Sequence, residues 1–269
     1  MLDIQFIETG SIEIEYCLSD REDLPVLVFT HGLSANLRQF ENQFEYFRKK
    51  YRVLLLSLRG HGKSGYPKTA GREDFTLRKM AEDCENLFDQ LKIPAAHWVG
   101  NSMGGLVGYE LLSSVPRRLL SLTTFGTTAE LHYSETAVKM LTVSKDIMIK
   151  IMGYDGFARF AGKASSKHKP VQDMIIEMIM ASSPEAVRYA HMNIGDYDYT
   201  NLLQKTSIPL FLIHCEHDKS INKNLKSTLS VLEQHQTADV ETLSGAGHFA
   251  NLDKPAEFNQ MLDHWLSAR

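Results

Sequence analysis

At positions 100–105 the chain reads Gly-Asn-Ser-Met-Gly-Gly, after an apolar run at residues 95–99 and before a helical pattern that starts at Leu106. The apolar run predicts a strand. Glycines two residues either side of Ser102 let the backbone turn sharply from that strand into the helix, which exposes the serine hydroxyl at the carboxyl edge of a sheet. This is the pattern of a nucleophile elbow, although a glycine-rich turn with an incidental serine has the same spacing. The surrounding sequence decides between the two interpretations.

Strand and helix patterns alternate on both sides of this turn. Short apolar runs predict strands at residues 25–30, 52–58, 119–125, 208–213 and 239–243. Helical patterns lie at residues 37–49, 75–91, 106–114, 221–232 and 254–265. Such alternation indicates repeated right-handed βαβ crossovers, so we predict an α/β fold with a mostly parallel, doubly wound sheet. Alternating polarity at residues 4–9 and 12–18 predicts an antiparallel hairpin at one edge of that sheet.

The alternation stops between residues 128 and 199, where three helical patterns and no convincing strand are found. We expect these helices at residues 136–152, 170–180 and 184–193. We interpret residues 128–199 as a helical cap inserted into a core formed by residues 1–127 and 200–269. Seven of the eleven methionines lie in the cap: Met140, Met148, Met152, Met174, Met178, Met180 and Met192. A methionine stripe belongs more often to a core than to a binding site, but it also suits an adaptable apolar pocket.

An exposed serine becomes a nucleophile only if a histidine removes its proton and an acid orients that histidine. Asp218 follows the strand predicted at residues 208–213, and His248 follows the strand predicted at residues 239–243. Taken alone, Asp218 could cap a helix and His248 could be an ordinary loop residue. The chain order Ser102, Asp218, His248, with each residue after a strand of one parallel sheet, instead predicts a catalytic triad at the sheet edge.

Catalysis by such a triad also needs hydrogen-bond donors for the developing oxyanion. In this arrangement the donors are the backbone N–H after the nucleophile and one from a loop that follows an earlier strand. These positions are Met103 and Leu33 here. Because only their backbone groups are required, the side chains of Leu33 and Met103 are free to shape the pocket for the substrate.

Composition narrows the possible partners. The chain has 269 residues and a formal net charge of -4, and its charged residues are interspersed. We therefore expect a small-molecule partner and neither nucleic acid nor a membrane surface. The amino terminus lacks the pattern of a signal peptide, and the three cysteines have neither disulfide nor metal spacing. Both features favour a cytoplasmic location and reduced thiols.

Two other patterns imitate known sites. The sequence GHGKSG at residues 60–65 matches a dinucleotide fingerprint, but no helix opens directly after it, and its similarity to a phosphate loop lacks the first glycine. Residues 214–217, His-Cys-Glu-His, have the composition of metal ligands. Because neighbouring strand residues point to opposite faces and no second ligand cluster has suitable spacing, we expect no metal site there. The chemistry of the predicted triad requires no metal or organic cofactor, so we expect none.

With these residues assembled, the chain resembles the α/β-hydrolase family over nearly its whole length. The matching pieces are His31-Gly32-Leu33, residues 59–64, the elbow, the loop ending in Asp218, and Gly247-His248. Within the family the chain looks most like capped esterases and lactonases, including enol-lactone hydrolases and the quorum-quenching enzymes that open acyl-homoserine lactones. The elbow also resembles that of carbon-carbon bond hydrolases, but Phe249 stands where those enzymes usually carry Trp. Ser57 stands where many relatives carry Asp, which affects loop support more than chemistry.

The residues and the resemblance together predict a serine hydrolase with a Ser102-Asp218-His248 triad. Its expected substrate is a carboxylic ester or lactone with an apolar acyl group, for which an acyl-homoserine lactone is a concrete candidate. The alternatives are a carbon-carbon bond hydrolase of ring-cleavage products, a metal-dependent lactonase, and a non-catalytic receptor that binds a small ligand on the same fold.

Overall fold

The computed structural model describes residues 2–10 and 12–269. Position 11, in the predicted hairpin turn, and residue 1 lie outside the described residues. The described residues form ten strands: β1 (Gln5–Thr9), β2 (Ile12–Leu18), β3 (Val26–Thr30), β4 (Arg52–Leu56), β5 (Ala96–Asn101), β6 (Leu119–Phe125), β7 (Glu130–His132), β8 (Asp196–Asp198), β9 (Leu210–Cys215) and β10 (Ala238–Leu243). In the described part of the chain, no helix is both long and apolar enough to cross a bilayer.

The described residues also form eleven α-helices, which alternate with the strands outside residues 128–199. They are α1 (Glu41–Phe47), α2 (Leu77–Gln90), α3 (Met103–Ser114), α4 (Glu135–Ser165), α5 (Lys169–Met180), α6 (Pro184–Asn193), α7 (Thr200–Lys205), α8 (Lys219–Asn222), α9 (Lys226–Glu233), α10 (Ala250–Asp253) and α11 (Pro255–Ser267). Short 3-10 turns cover Leu37–Phe40, Arg72–Phe75 and Pro116–Arg118.

The main sheet has eight strands in the order β1-β2-β4-β3-β5-β6-β9-β10. The pairs from β4 to β10 are parallel, and β1 and β2 form the antiparallel edge. The register places Thr30 of β3 beside Gly100 of β5, and Gly100 beside Thr124 of β6. The loops after these three strands therefore start at one edge of the sheet. This confirms the predicted α/β, mostly parallel sheet.

Helices cover both faces of the sheet, as a parallel sheet requires. On one face, side chains of α2 and α3, including Leu87, Phe88 and Leu106, pack on strand residues such as Trp98. On the other, α1 and α11 pack on Phe29, Phe125 and Phe211 through side chains that include Phe47 and Trp265. The central strands are consequently buried on both sides, which explains their continuous apolar sequence.

Residues 128–199 contain α4, α5 and α6, and two features that differ from expectation. Helix α4 extends to Ser165 and is broken at Gly153, whose φ of 72° is not helical. Strands β7 and β8 pair antiparallel in this segment, where no strand was expected. Three-residue strands are too short to show a periodicity, and their pairing partners are separated by the whole helical region, so the sequence pattern missed them.

Candidate active site

The turn at Ser102 has the geometry of an elbow. Ser102 lies between β5 and α3 with φ 51° and ψ -116°, a backbone conformation that residues other than glycine seldom adopt. Its N–H donates to the carbonyl of Phe125 over 2.9 Å, which ties the turn to the end of β6. A Cβ added at Gly100 would lie 2.4 Å from the backbone of Gly104, so only glycine allows this close approach. The serine is therefore held at the carboxyl end of β5 by backbone contacts.

Asp218 and His248 come together at the same edge of the sheet. His248 Nδ1 and Asp218 Oδ2 are 2.5 Å apart, although the two residues are 30 positions apart in the chain. Asp218 also accepts hydrogen bonds from the Ser220 hydroxyl at 2.7 Å and from the Ile221 N–H at 3.3 Å. Because a carboxylate accepts the hydrogen from Nδ1, the second ring nitrogen, Nε2, is left free to accept a proton.

The environment of Asp218 favours its ionised form. Burial, with only 4% of the residue exposed, acts to raise its pKa, but the hydrogen bond and charge of His248 and the bonds from Ser220 and Ile221 outweigh it. The net result is a pKa below the usual range of an aspartate. Asp218 is therefore a fixed negative charge beside the imidazole ring at neutral pH.

Ser102 and His248 line one cavity of about 340 Å³ beneath the helices of residues 128–199. Most of the other lining side chains are apolar. The lining residues are Gly32, Leu33, Ser34, Ala35, Lys145, Phe157, Ala161, Ser165, Ile175, Met178, Ile179, Ile194 and Phe249. A larger depression of about 610 Å³ lies between β7 and α9, but it contains none of the three candidate catalytic residues. We take the smaller cavity as the candidate site because Ser102 and His248 line it, although the other depression has the larger volume.

The two amides expected to bind an oxyanion have no hydrogen-bond acceptor among the described residues. Met103 is the first residue of α3, where helix geometry leaves its N–H without an intrahelical acceptor. Across residues 2–10 and 12–269, neither Met103 N nor Leu33 N donates to another group of the protein. The Leu33 side chain lines the cavity, but that of Met103 is fully buried in the core and does not. The Met103 side chain is therefore absent from the described lining of the cavity, and the roles of the Leu33 and Met103 amides as oxyanion donors stay predictions.

His31 supports the loop that carries Leu33. Its Nδ1 donates to the Gly32 carbonyl at 2.7 Å, and its Nε2 accepts from the Leu58 N–H at 2.9 Å. Complete burial, together with the nearby His61 ring, lowers the pKa of His31 to about 3. The ring is therefore neutral, and both of its nitrogens are used to hold the loop, in agreement with a structural role.

A network of buried side-chain amides joins the loop that carries Leu33 and the loop that carries His248 to the elbow. The sequence analysis did not predict this network. Gln39 Nε2 donates to Asn101 Oδ1 at 3.0 Å and to Asn251 Oδ1 at 3.1 Å, while Gln39 Oε1 accepts from the Gly32 N–H. Asn101 Nδ2 in turn donates to the His248 carbonyl at 3.1 Å. The network thus connects the Leu33 loop, the elbow and the His248 loop. Only Asn101 carried a signal, its position within the elbow.

Gly126 also contributes to the site, although the sequence analysis did not identify it. It has a φ of 60°, and a Cβ at this position would lie 3.1 Å from the His248 ring and 3.0 Å from Asn101 Nδ2. Glycine therefore leaves the space that the imidazole occupies. Its position directly after β6 was the available signal.

The remaining sequence features lie away from this chemistry. Of the seven methionines, only Met178 lines the cavity. In the stretch 214–217, which has the composition of metal ligands, His214 hydrogen-bonds with the Thr242 hydroxyl, and Glu216 accepts from the Ser244 hydroxyl and the Gly245 N–H. Burial raises the pKa of the Cys215 thiol to about 12. Residues 60–65 lead into a loop and then the 3-10 turn, not into a helix. Among the described residues, one group with metal-binding side chains in range of each other, Glu130, His132 and Asp198, lies on β7 and β8.

Comparison with known proteins identifies the family. A model of the α/β-hydrolase fold matches residues 25–255, so the chain belongs to this family. It is 25% identical over 253 residues to 3-oxoadipate enol-lactonase 2 of Acinetobacter baylyi, covering 94% of this chain and 92% of that protein. The enol-lactonase of Burkholderia xenovorans LB400 matches with a TM-score of 0.84 at 21% identity, over 98% of this chain and 100% of that one. Est816, an N-acyl homoserine lactone degrading enzyme, matches with a TM-score of 0.77 at 20% identity, over 97% of this chain and 99% of that one. The resemblance to esterases and lactonases is thereby confirmed.

Proposed function

We propose that this protein is a serine hydrolase that cleaves a carboxylic ester or lactone through an acyl-enzyme. The observation that carries the proposal is the Asp218–His248 hydrogen bond of 2.5 Å, formed at a cavity that Ser102 also lines from its strained turn. A nucleophile, a base and a group that orients the base are the three parts that acyl transfer by serine requires. The enol-lactonase and esterase relatives support the same reaction class.

In the first half of the reaction, His248 Nε2 takes the proton of the Ser102 hydroxyl as its oxygen bonds to the substrate carbonyl carbon. The carbonyl oxygen becomes an oxyanion, which the N–H groups of Leu33 and Met103 stabilise. Asp218 keeps the proton on Nδ1 and stabilises the charged ring. When the carbon–oxygen bond to the leaving group breaks, His248 gives its proton to that alkoxide, leaving an acyl-enzyme.

In the second half, water gives a proton to His248 and its oxygen bonds to the acyl carbon. The bond to Ser102 then breaks, and Ser102 recovers its proton from His248 as the carboxylic acid is released. With a lactone, the alkoxide formed earlier stays attached to the acyl group, so the product is a hydroxy acid. The proposed steps use no metal or organic cofactor.

Residues 128–199 serve as a cap over the core in this proposal, and the cap sets the substrate preference. Phe157 from α4, Ile175 and Ile179 from α5, and Ile194 supply an apolar wall to the cavity. Such a wall favours an apolar acyl group, and an acyl-homoserine lactone, whose cleavage would quench quorum signals, is one candidate. A cytoplasmic location stays a prediction from the sequence.

The test combines labelling with a substrate screen. A fluorophosphonate is expected to label Ser102 in the native protein and not in the Ser102→Ala variant, and hydrolysis of aryl esters and lactones should disappear with the label. Ser114→Ala on α3 serves as a matched control, since Ser114 lies outside the cavity. Hydrolysis that survives in Ser102→Ala would refute the mechanism. Labelling without hydrolysis of any ester or lactone, but with cleavage of ring-cleavage diketones, would favour carbon-carbon chemistry instead.

A further inference from the structure

The cavity contains one side chain that does not fit an apolar substrate. Lys145, on the first half of α4, lines the cavity together with Ser102 and His248, and it is the only lysine, arginine or carboxylate in the described lining. The residue is half-buried. An ammonium group placed among apolar side chains loses hydration, and it is usually retained only where an anion or another acceptor compensates.

Among the residues that the structure describes, none supplies such an acceptor. Across residues 2–10 and 12–269, no carboxylate lies within ion-pair distance of Lys145 Nζ, and no hydrogen bond from this atom is formed. The carboxylate next to it in the chain, Asp146, instead accepts from Arg188 Nε at 2.9 Å. Lys145 Nζ lies over the face of Phe157, at 6.0 Å from the ring centroid. This is a weak interaction that leaves all three N–H donors available.

The titratable groups around Lys145 do not neutralise it either. His191, from α6, is half-buried, and its burial together with the Lys145 charge lowers its pKa to about 4, so this ring is neutral at physiological pH. Burial lowers the pKa of Lys145, while Asp146 acts in the opposite direction. An anion bound in the cavity would favour the charged ammonium and restore the interactions that it lost on burial.

We propose that Lys145 binds a carboxylate at the far end of the substrate's acyl group, so that the preferred substrates are half-esters or lactones of dicarboxylic acids. One isolated ammonium balances one negative charge, which favours a carboxylate over a phosphate. The apolar wall then contacts the methylene groups between the carboxylate and the scissile carbonyl. This inference rests on the proposed function and specifies its substrate class.

The test compares two esters of the same shape and different charge. Mono-para-nitrophenyl glutarate carries the carboxylate, and para-nitrophenyl 5-methylhexanoate replaces it with an isopropyl group. We expect the ratio of kcat/KM for the anionic ester to that for the neutral ester to fall about 10- to 100-fold in Lys145→Met and Lys145→Gln. Lys145→Arg should keep most of the ratio. Lys150→Met, an exposed lysine of the same helix outside the cavity, should leave it unchanged. An equal ratio in the native protein, Lys145→Met and Lys145→Gln would overturn the proposal.

A binding measurement separates this proposal from the hydrolase mechanism. Monobenzyl glutarate and benzyl 5-methylhexanoate are titrated calorimetrically into Ser102→Ala and into Ser102→Ala with Lys145→Met. Tighter binding of the anionic ester that disappears with Lys145 supports the anion site, even if the native protein hydrolyses neither ester and the proposed function fails. Binding of the anionic ester that is the same in both proteins, or detectable in neither, overturns the anion site.

Discussion

The carboxyl edge of the sheet and the helical segment 128–199 meet at one cavity but are built differently. At the edge, residues far apart in the chain hold one another: Gln39 bonds to Asn101 and Asn251, and Asp218 bonds to His248. In the segment, several apolar side chains face solvent, and Met140 and Ile151 are 67% and 78% exposed. If the proposed function is correct, we expect changes at the edge to lower activity, whereas we expect much of the segment surface to change at little cost in either stability or rate.

The largest effect is expected from Asp218→Asn at the edge. An amide does not stabilise the charged imidazole and favours the wrong tautomer of His248, so kcat should fall by about 10⁴-fold. The measurement is steady-state hydrolysis of an aryl ester, with circular dichroism to confirm folding. Asp155→Asn, at an exposed position on α4, is the matched control and should retain full activity. A fall of less than tenfold in Asp218→Asn would contradict the assigned role.

Gly126→Ala tests whether the edge depends on exact spacing. The new Cβ would lie 3.1 Å from the His248 ring, and the φ of 60° is unfavourable for alanine. A displacement of the ring by a fraction of an ångström should lower kcat about 10²-fold. Gly156→Ala in the segment adds the same methyl group to a helical glycine whose nearest neighbour is only the Met152 side chain, and it should leave kcat within about twofold. Equal rates in the two variants would remove the distinction between the regions.

The low pKa of His31, which supports a loop at the sheet edge, predicts that the free energy of unfolding depends on pH. Its pKa is about 3 in the folded protein and is expected near 6.5 in the unfolded chain, so the unfolded state binds the proton first as the pH falls. The stabilisation is fully present above pH ~6.5 and is lost progressively towards pH ~3, by about 3–5 kcal/mol. Urea unfolding at several pH values should show this loss in the native protein and a reduced slope in His31→Gln. His264→Gln, at an exposed position, should reproduce the native slope.

The smallest effect is expected from Ile151→Ser in the segment. Because Ile151 is already 78% exposed, removing its apolar surface should change the free energy of unfolding by less than about 0.5 kcal/mol. Ile179→Ser, a buried residue that lines the cavity, is the contrasting variant and should cost more than about 2 kcal/mol. Urea unfolding of both proteins measures the difference. A large loss in Ile151→Ser would mean that this exposed face is covered in solution.

The alternation of strands and helices in the core could be predicted because each buried strand carries its own local signal. Residues 119–125 predicted β6 with its observed bounds, and residues 12–18 predicted β2. Helix α3 begins three residues earlier than predicted, at Met103, because Gly104 and Gly105 are helical here and pack against the Thr30 backbone and the Thr127 side chain. Propensity alone disfavours glycine in a helix, so tertiary packing decided this boundary.

The candidate site was only partly accessible to sequence reasoning. Ser102, Asp218 and His248 each follow a strand, and that placement is visible in the sequence. Gln39 and Asn251 are 212 positions apart, and neither has a local pattern that indicates a buried amide pair. Lys145 resembles any other lysine of an amphipathic helix until α4 is placed over the cavity. Groups whose function depends on a distant partner cannot be recognised before the fold brings that partner near.

The backbone of Ser102 has a consequence for how selection acts on this chain. A non-glycine residue held at φ 51° and ψ -116° costs about 1–3 kcal/mol of folding free energy, a large fraction of the 5–15 kcal/mol that a domain typically has. Glycine would relieve this cost, so an inactive Ser102→Gly protein should melt at a higher temperature than the native one. Any lineage that lost the need for the reaction would then gain stability by losing the serine. On the proposed function, the chain keeps the serine at this position at a cost in stability.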